Sequence, residues 1–181
     1  MQILETNRLK LIPFSLDLKQ AAIHDKFKLG EIVGVKVPEH WPGPDLAEAL
    51  PFLVEHMKKD PAGPVWDGII IHKADEVIIG DMGYKGEPNE EGAVEIGYSI
   101  IPEYRNQGHA TEMAHRLITW AFQEQGVKMI TAECLNDNIG SMKVLAKVGM
   151  HRLEPEGNML KWELRKEEWE FRRNWYDVRR L

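Results

Sequence analysis

The stretch best suited to chemistry in this 181-residue chain is Arg105-Asn106-Gln107-Gly108-His109-Ala110. It lies between an alternating apolar run, Ala93 to Ile101, and a helical run that begins near His109. Strand, tight glycine loop and helix start together make a place for an anion. The first N–H groups of a helix have no intrahelical partners and carry a partial positive charge, so a phosphate there is stabilised by both effects. Gly108 has no Cβ, which lets the backbone approach the ligand. The same spacing also suits an ordinary strand-to-helix turn, and the surrounding elements must decide between the two.

Those elements can be read in order. Leu9 to Phe14 alternates and predicts a strand closed by Pro13, followed by a helix entry with Ser15 as N-cap. Leu18 to Ile32 is helical but interrupted by Gly30 and Gly34. His40-Trp41-Pro42-Gly43-Pro44-Asp45 predicts a loop, with Asp45 capping a helix in which Pro51 marks a bend or a fresh start. Val65–His72 and Val77–Tyr84 predict a hairpin, and Ala93–Ile101 a third antiparallel strand. Within that strand Val94, Ile96, Tyr98 and Ile100 share one face, and Glu95, Gly97 and Ser99 the other.

Ala110, Met113, Ala114, Leu117, Ile118 and Ala121 then recur at helical spacing, and Gly126 is expected to end their helix. Met129–Leu135 predicts a strand, and Asn138 caps a helix that Gly149 terminates. Met150–Leu153 and Met159–Leu164 predict a closing pair of strands. The tail from Arg165 carries Trp169, Arg172, Arg173, Trp175, Tyr176, Arg179 and Arg180, which suits an additional helix.

Composition narrows the class. With 43% hydrophobic and 29% charged residues, the chain is expected to bury one core, giving a single domain over 1–164 and a helical extension over 165–181. No apolar run reaches membrane-spanning length and the first residues show no secretory pattern, so no membrane partner and a cytoplasmic location are expected. Cys134 is the only cysteine, which excludes an intrachain disulfide or a cysteine metal cage. The seven histidines show no ligand spacing, so no metal is expected. A formal charge of -6 argues against nucleic-acid binding by the bulk surface and favours a cationic partner.

Four stretches, in this order, carry a resemblance: Leu4–Leu11, Glu95–Tyr98, Pro102–Ala110, and Asn138–Ser141 through Lys147–Met150. They resemble the GNAT superfamily of acyl-CoA-dependent N-acetyltransferases, most closely the branch of the ribosomal-protein-alanine N-acetyltransferases. The resemblance spans most of residues 4 to 164 and leaves out the last seventeen. It implies an α+β fold with a mixed, mostly antiparallel central sheet splayed at the cofactor site and flanked by helices. It also implies acetyl-CoA as co-substrate. The pyrophosphate would rest on Gln107, Gly108, His109 and Ala110, with Arg105 opening the motif. Backbone groups at Tyr98 and Ile100 would receive the pantetheine arm and polarise the thioester carbonyl. Asn138 would steady the cofactor, with Ser141 one helical turn beyond. A plain N-cap is the alternative role for Asn138.

For the reaction itself, direct attack by a primary amine (a protein N-terminus or a small amine) in a ternary complex is expected. Juxtaposing the reactants supplies much of the acceleration. An ammonium cannot attack, so a base is needed. Glu95 is the candidate, because a carboxylate on an apolar sheet is pushed toward neutral pH. Holding a cationic acceptor or pairing with an arginine are its alternative roles. Asp81 and Asp67 rank below it, as solvated faces or acceptor contacts.

The family's thiolate-protonating tyrosine falls on Leu145 here, which leaves Ser141 as the nearest replacement acid, with unassisted departure of the thiolate as the alternative. Cys134, inside a strand, is expected to be apolar filling rather than a nucleophile. His109 offers its backbone and His115 belongs to the surface. The loop Val35 to Asp45, with His40 and Trp41, is expected to wall the acceptor site. Two other readings compete: a non-catalytic acyl-CoA-binding regulatory module, and a tail that binds RNA. The tail also carries Glu167, Glu168, Glu170 and Asp177, which better suits a helix packed on the body or on a second subunit, as in a homodimer.

Overall fold

The computed structural model describes residues 1–124 and 126–178. Arg179 and Arg180, and the side chains of Arg173, Trp175 and Tyr176, lie outside the described residues. The elements in chain order are β1 (Leu4–Glu5), β2 (Leu9–Pro13), α1 (Leu16–His24), α2 (Lys26–Val33), α3 (Pro44–Lys59), β3 (Asp67–His72), β4 (Val77–Tyr84) and β5 (Ala93–Ile100). After a 3-10 turn at Pro102–Tyr104 come α4 (His109–Ala121), β6 (Met129–Leu135), α5 (Ile139–Lys147), β7 (His151–Arg152), β8 (Met159–Arg165) and α6 (Lys166–Val178). The strand order is β1-β2-β3-β4-β5-β6-β8-β7. The chain clusters into two units, Met1–Gly83 with Tyr98–Met113, and Tyr84–Gly97 with Ala114–Leu181. β5 passes from one to the other between Gly97 and Tyr98.

In the first unit β1 to β4 form an antiparallel meander, Leu11 facing Ile70 and Ile69 facing Asp81. Its core is Leu9, Leu11, Phe14, Ile69, Ile78 and Trp41. Ser15 caps α1 as expected, its Oγ accepting from the Leu18 N–H at 3.4 Å. The expected helix over 18–32 is two helices. Asp25 ends α1 and caps α2 by accepting from the Lys28 N–H at 2.9 Å, while Gly34 closes α2 with φ of 70°. Gly30 stays inside α2 and interrupts nothing.

Two expectations about α3 need correction. Gly43 is the N-cap, Pro44 is the first helical residue, and Asp45 sits in the first turn, where its charge favours the helix dipole without capping. Pro51 neither ends nor restarts the helix. Proline removes one intrahelical bond. Buried Leu50 and Val54 flank it and hold the apolar face down while the ring stays exposed.

In the second unit β5 pairs in parallel with β6 through Ala93–Met129, Val94–Ile130 and Glu95–Thr131. β8 lies antiparallel to β6 from Met129–Arg165 to Leu135–Met159, and the short β7 pairs on β8. Helix α4 ends at Ala121, not Gly126, because 3-10-type bonds from Gln123 to Trp120 and from Glu124 to Ala121 tighten the chain first. On α6 the Trp169 ring lies 5.5 Å from that of Phe122, and Arg172 donates to the Gly149 carbonyl at 2.8 Å.

Candidate active site

The glycine loop is built within the first unit. Arg105, although exposed, donates from Nε to the Ile100 carbonyl at 2.8 Å, locking the exit of β5 to the loop. Asn106 and Gly108 take positive φ, 61° and 82°, and so reverse the chain into α4. At 82° a Cβ would be strained, which is why glycine stands there. The first intrahelical bond of α4 runs from the Glu112 N–H to the Gly108 carbonyl. The N–H groups ahead of Glu112 therefore precede the helical ladder, which is the anion-binding arrangement. Asn106, Gln107 and Gly108 are exposed.

The His109 side chain turns inward, 2% exposed, with Nδ1 3.2 Å from the Tyr104 carbonyl oxygen and the ring edge-on to His72 at 5.2 Å. Burial pushes its pKa down, which keeps the imidazole neutral.

A cation that sequence reasoning gave no role stands beside this loop. Arg8 donates from Nη1 to the Gln107 carbonyl at 3.1 Å and from Nε to Glu112 Oε2 at 2.6 Å. Its Nη2 would lie 3.5 Å from a Cβ added at Gly108. Burial raises the Glu112 pKa, but hydrogen bonds from Thr6 and Arg8 and the Arg8 charge outweigh it and hold the carboxyl below its usual range. The available signal was Leu4–Leu11, a stretch that carries the resemblance and contains Arg8.

The 35–45 loop also belongs to this unit. Lys36 makes a parallel bridge to Val77. Trp41 is fully buried, 6.0 Å from the Phe14 ring, and precedes a cis Pro42. His40 is exposed and contacts Glu103 Oε1 at 2.7 Å, tying the loop to the turn that enters the glycine motif. A Cβ on Gly43 would lie 4.0 Å from Ser99 Oγ, so the loop passes over the Ser99 face of β5.

On that face Ser99 Oγ donates to Asp81 Oδ2 at 2.7 Å. Asp81 was expected to be a weaker candidate for the base than Glu95, and rather a solvated face or an acceptor contact. It is instead surrounded by protein while keeping part of its surface open to solvent, and burial pushes its pKa up to about 6 against the lowering pull of Ser99 and the Trp41 indole. Asp67 and Asp45 add like-charge repulsion in the same direction. Asp67 itself is ion-paired: the Lys19 ammonium, 1% exposed, lies 2.8 Å from its Oδ1 and 2.7 Å from its Oδ2 and donates to the Phe14 carbonyl. Ser99 was visible in the sequence only as a face-mate of Glu95.

The second unit holds the other residues read from the sequence. Glu95 is not isolated on an apolar face, because its carboxylate pairs with the Lys85 ammonium at the next strand's edge. Asn138 caps α5, its Oδ1 accepting from the Ser141 N–H at 3.0 Å. Leu145 is buried, and so is Cys134, within β6. His115 is exposed. Tyr98 and Ile100 form the C-terminal half of β5 in the first unit, with Ile100 buried.

The mixed, mostly antiparallel sheet with its helices is the fold of the GNAT acetyltransferases. The sequence pattern of the Acetyltransferase (GNAT) domain family matches residues 8–151. The chain belongs to this family and is an acetyl-CoA-dependent N-acetyltransferase. It is 37% identical over 150 residues to the uncharacterized N-acetyltransferase YjdG of Bacillus subtilis, covering 82% of this chain and 89% of that one.

Among solved structures it is similar to the ribosomal-protein-S5-alanine acetyltransferase of Vibrio fischeri, with a TM-score of 0.63 at 20% identity over 93% of this chain and 99% of that one. A spermidine N-acetyltransferase SpeG chimera from Vibrio cholerae and hSSAT aligns with a TM-score of 0.63 at 13% identity over 90% and 98% of the two chains. At these identities the likeness establishes the fold.

Proposed function

We propose that the chain acetylates a primary amine, a protein N-terminus or a small polyamine-like molecule, by direct attack on acetyl-CoA in a ternary complex. The observation that carries the donor half is the loop from Arg105 to Ala110, with Gly108 at φ of 82° ahead of the first α4 bond. In this reading the pyrophosphate takes the N–H groups of Gln107, Gly108, His109 and Ala110, and Arg8 adds positive charge beside them. The pantetheine arm follows the backbone of Tyr98 and Ile100. We assign a cofactor contact to Asn138 and the return of a proton to the CoA thiolate to Ser141, on the family resemblance and on the cap that joins them.

The acceptor half rests on charge. Asp81 carries a charge that the neutral Ser99 hydroxyl does not cancel and Asp45 acts on it from α3, whereas Asp67 is held by Lys19; the uncancelled charge draws a cation rather than an anion. The names of the structural relatives supply the two amine types worth testing, a ribosomal-protein N-terminus and spermidine. The test is a panel of alanine- and serine-initiated peptides, spermidine, amino acids and aminoglycoside-type amines, scored by acetyl-CoA-dependent thiol release. Thiol release with at least one of these amines, and an acetylated product by mass, are expected. Tight CoA binding with no acetylated amine anywhere in the panel would defeat the reading.

A further inference from the structure

The candidate carboxylates are not equivalent, because two already hold a cation. Asp67 has Lys19 and Glu95 has Lys85. Asp45 is exposed in the first turn of α3. Asp81 is held by a neutral donor, the Ser99 hydroxyl at 2.7 Å. The buried Trp41 indole N–H, which completes no hydrogen bond of its own, lies close enough to act on it. A neutral hydroxyl orients a carboxylate without cancelling its charge. One hydroxyl also uses little of its capacity, since an ionised carboxyl offers about four acceptor positions. The register explains the placement: Asp81 faces Ile69 and Asp67 faces Gly83, so the two carboxylates are diagonal neighbours on one face of the β3–β4 pair.

We infer that Asp81, steered by Ser99, is the proton acceptor for the incoming ammonium, and that Glu95 is not. This rests on the amine-acetylation reading above. The acceptor R–NH3+ gives one proton to the Asp81 carboxylate, leaving a neutral amine and a carboxylic acid. The amine lone pair forms the C–N bond to the acetyl carbonyl, the C–S bond breaks, and its electron pair leaves on the CoA sulfur. Ser141 gives a proton to that thiolate, and the nitrogen's surplus proton restores the Ser141 hydroxyl. Asp81 then returns its own proton to water through its open surface.

The groups that face Asp81 set its working range. They are Ser99 on β5, Trp41 in the loop before α3, Asp45 on α3 and Asp67 on β3 with Lys19 of α1 behind it. The two aspartates and the enclosure favour a held proton, while Ser99 and Trp41 favour release. The result is a group half-ionised near pH 6 and mostly ionised at neutral pH, which suits a base.

The test is the pH profile of kcat/KM from pH 5 to 9, with whichever panel amine the wild type turns over fastest, alongside acetyl-CoA affinity and the melting temperature. Wild type is expected to lose activity below about pH 6 with a single ionisation. Asp81→Asn is expected to lower kcat/KM by about 100-fold and abolish that acidic limb, with acetyl-CoA affinity retained. Ser99→Ala, which removes a lowering hydrogen bond without a charge change, is expected to move the limb to higher pH.

Glu95→Gln is expected to keep the limb. Should Asp81→Asn retain both the limb and activity within threefold of wild type, or Glu95→Gln abolish the limb, Asp81 is not the base. A wild type that binds acetyl-CoA yet acetylates no panel amine overturns the function itself and this role with it, a result distinct from either mutant outcome.

Discussion

Arg8 and Glu112, 104 residues apart, clasp each other twice, the Arg8 guanidinium on Oε2 and the Arg8 backbone N–H on Oε1 at 3.2 Å. Glu112 also supplies the N–H that closes the first turn of α4 on Gly108. The start of β2 and the start of α4 are thereby fixed to each other around the glycine loop. The guanidinium reaches the Gln107 carbonyl from the same position.

Removing that clasp should cost donor affinity more than turnover. Arg8→Ala is expected to weaken acetyl-CoA about tenfold, or about 1.4 kcal/mol, with kcat less affected. Arg8→Lys is expected to recover only part of it, because an ammonium cannot reproduce the planar fork. Isothermal titration with CoA measures this, and equal affinities for wild type and Arg8→Ala would rule out the role.

Gly108→Ala forces a side chain into φ of 82°. The backbone strain is about 1–2 kcal/mol, which should appear as a lower melting temperature without ligand. A larger effect is expected with ligand present: the rise in melting temperature that saturating acetyl-CoA gives the wild type should shrink. A variant stabilised by acetyl-CoA as strongly as wild type would show that the loop tolerates a Cβ.

Lys19→Met leaves Asp67 facing an apolar group. Burial already lowers the Lys19 pKa, with Asp67 opposing, so the pair is held at a desolvation cost and its halves depend on each other. Losing one half should destabilise the fold by about 3 kcal/mol. Combining it with Asp67→Asn should recover most of that loss. Urea midpoints of the two single variants and the double variant decide it, and additive losses would contradict the pairing.

Asp81 also gives stability a pH dependence of definite sign. Burial holds its pKa in the folded chain at about 6, above the ordinary aspartate value of 3.8. Its contribution is therefore fully present below about pH 4 and lost as pH rises through 6. A shift of about two units corresponds to about 3 kcal/mol. Asp81→Asn should be more stable than wild type at pH 7.5 and lose that advantage at pH 4. Denaturant unfolding at the two pH values checks it; an Asn variant less stable at pH 7.5 would reverse the sign.

What the sequence made legible was local. The step from β5 through the glycine loop to α4 stood out because a period of two changes to a period of 3.6 across a glycine, and the Ser15 and Asn138 caps announced their helices through side chains three residues from their partners. Pro51 and Asp45 misled because burial of Leu50 and Val54 overrode a local breaker and because Gly43-Pro44 made the better start. The carboxylate environments were not legible. Lys19 meets Asp67 across 48 residues, Ser99 meets Asp81 across 18, and a strand pattern shows which face Glu95 occupies but not that Lys85 is waiting there.

Gly80, on β4 one residue before Asp81, leaves no room for a side chain: a Cβ there would fall inside contact distance of the Ser99 carbonyl oxygen and crowd Ile100. Even alanine would push β5 away at the residue whose hydroxyl steers Asp81. Position 80 is thus expected to tolerate no substitution in a saturation screen for activity, although its own atoms take no part in the chemistry. A residue with no side chain sets the spacing on which the proton acceptor's alignment depends.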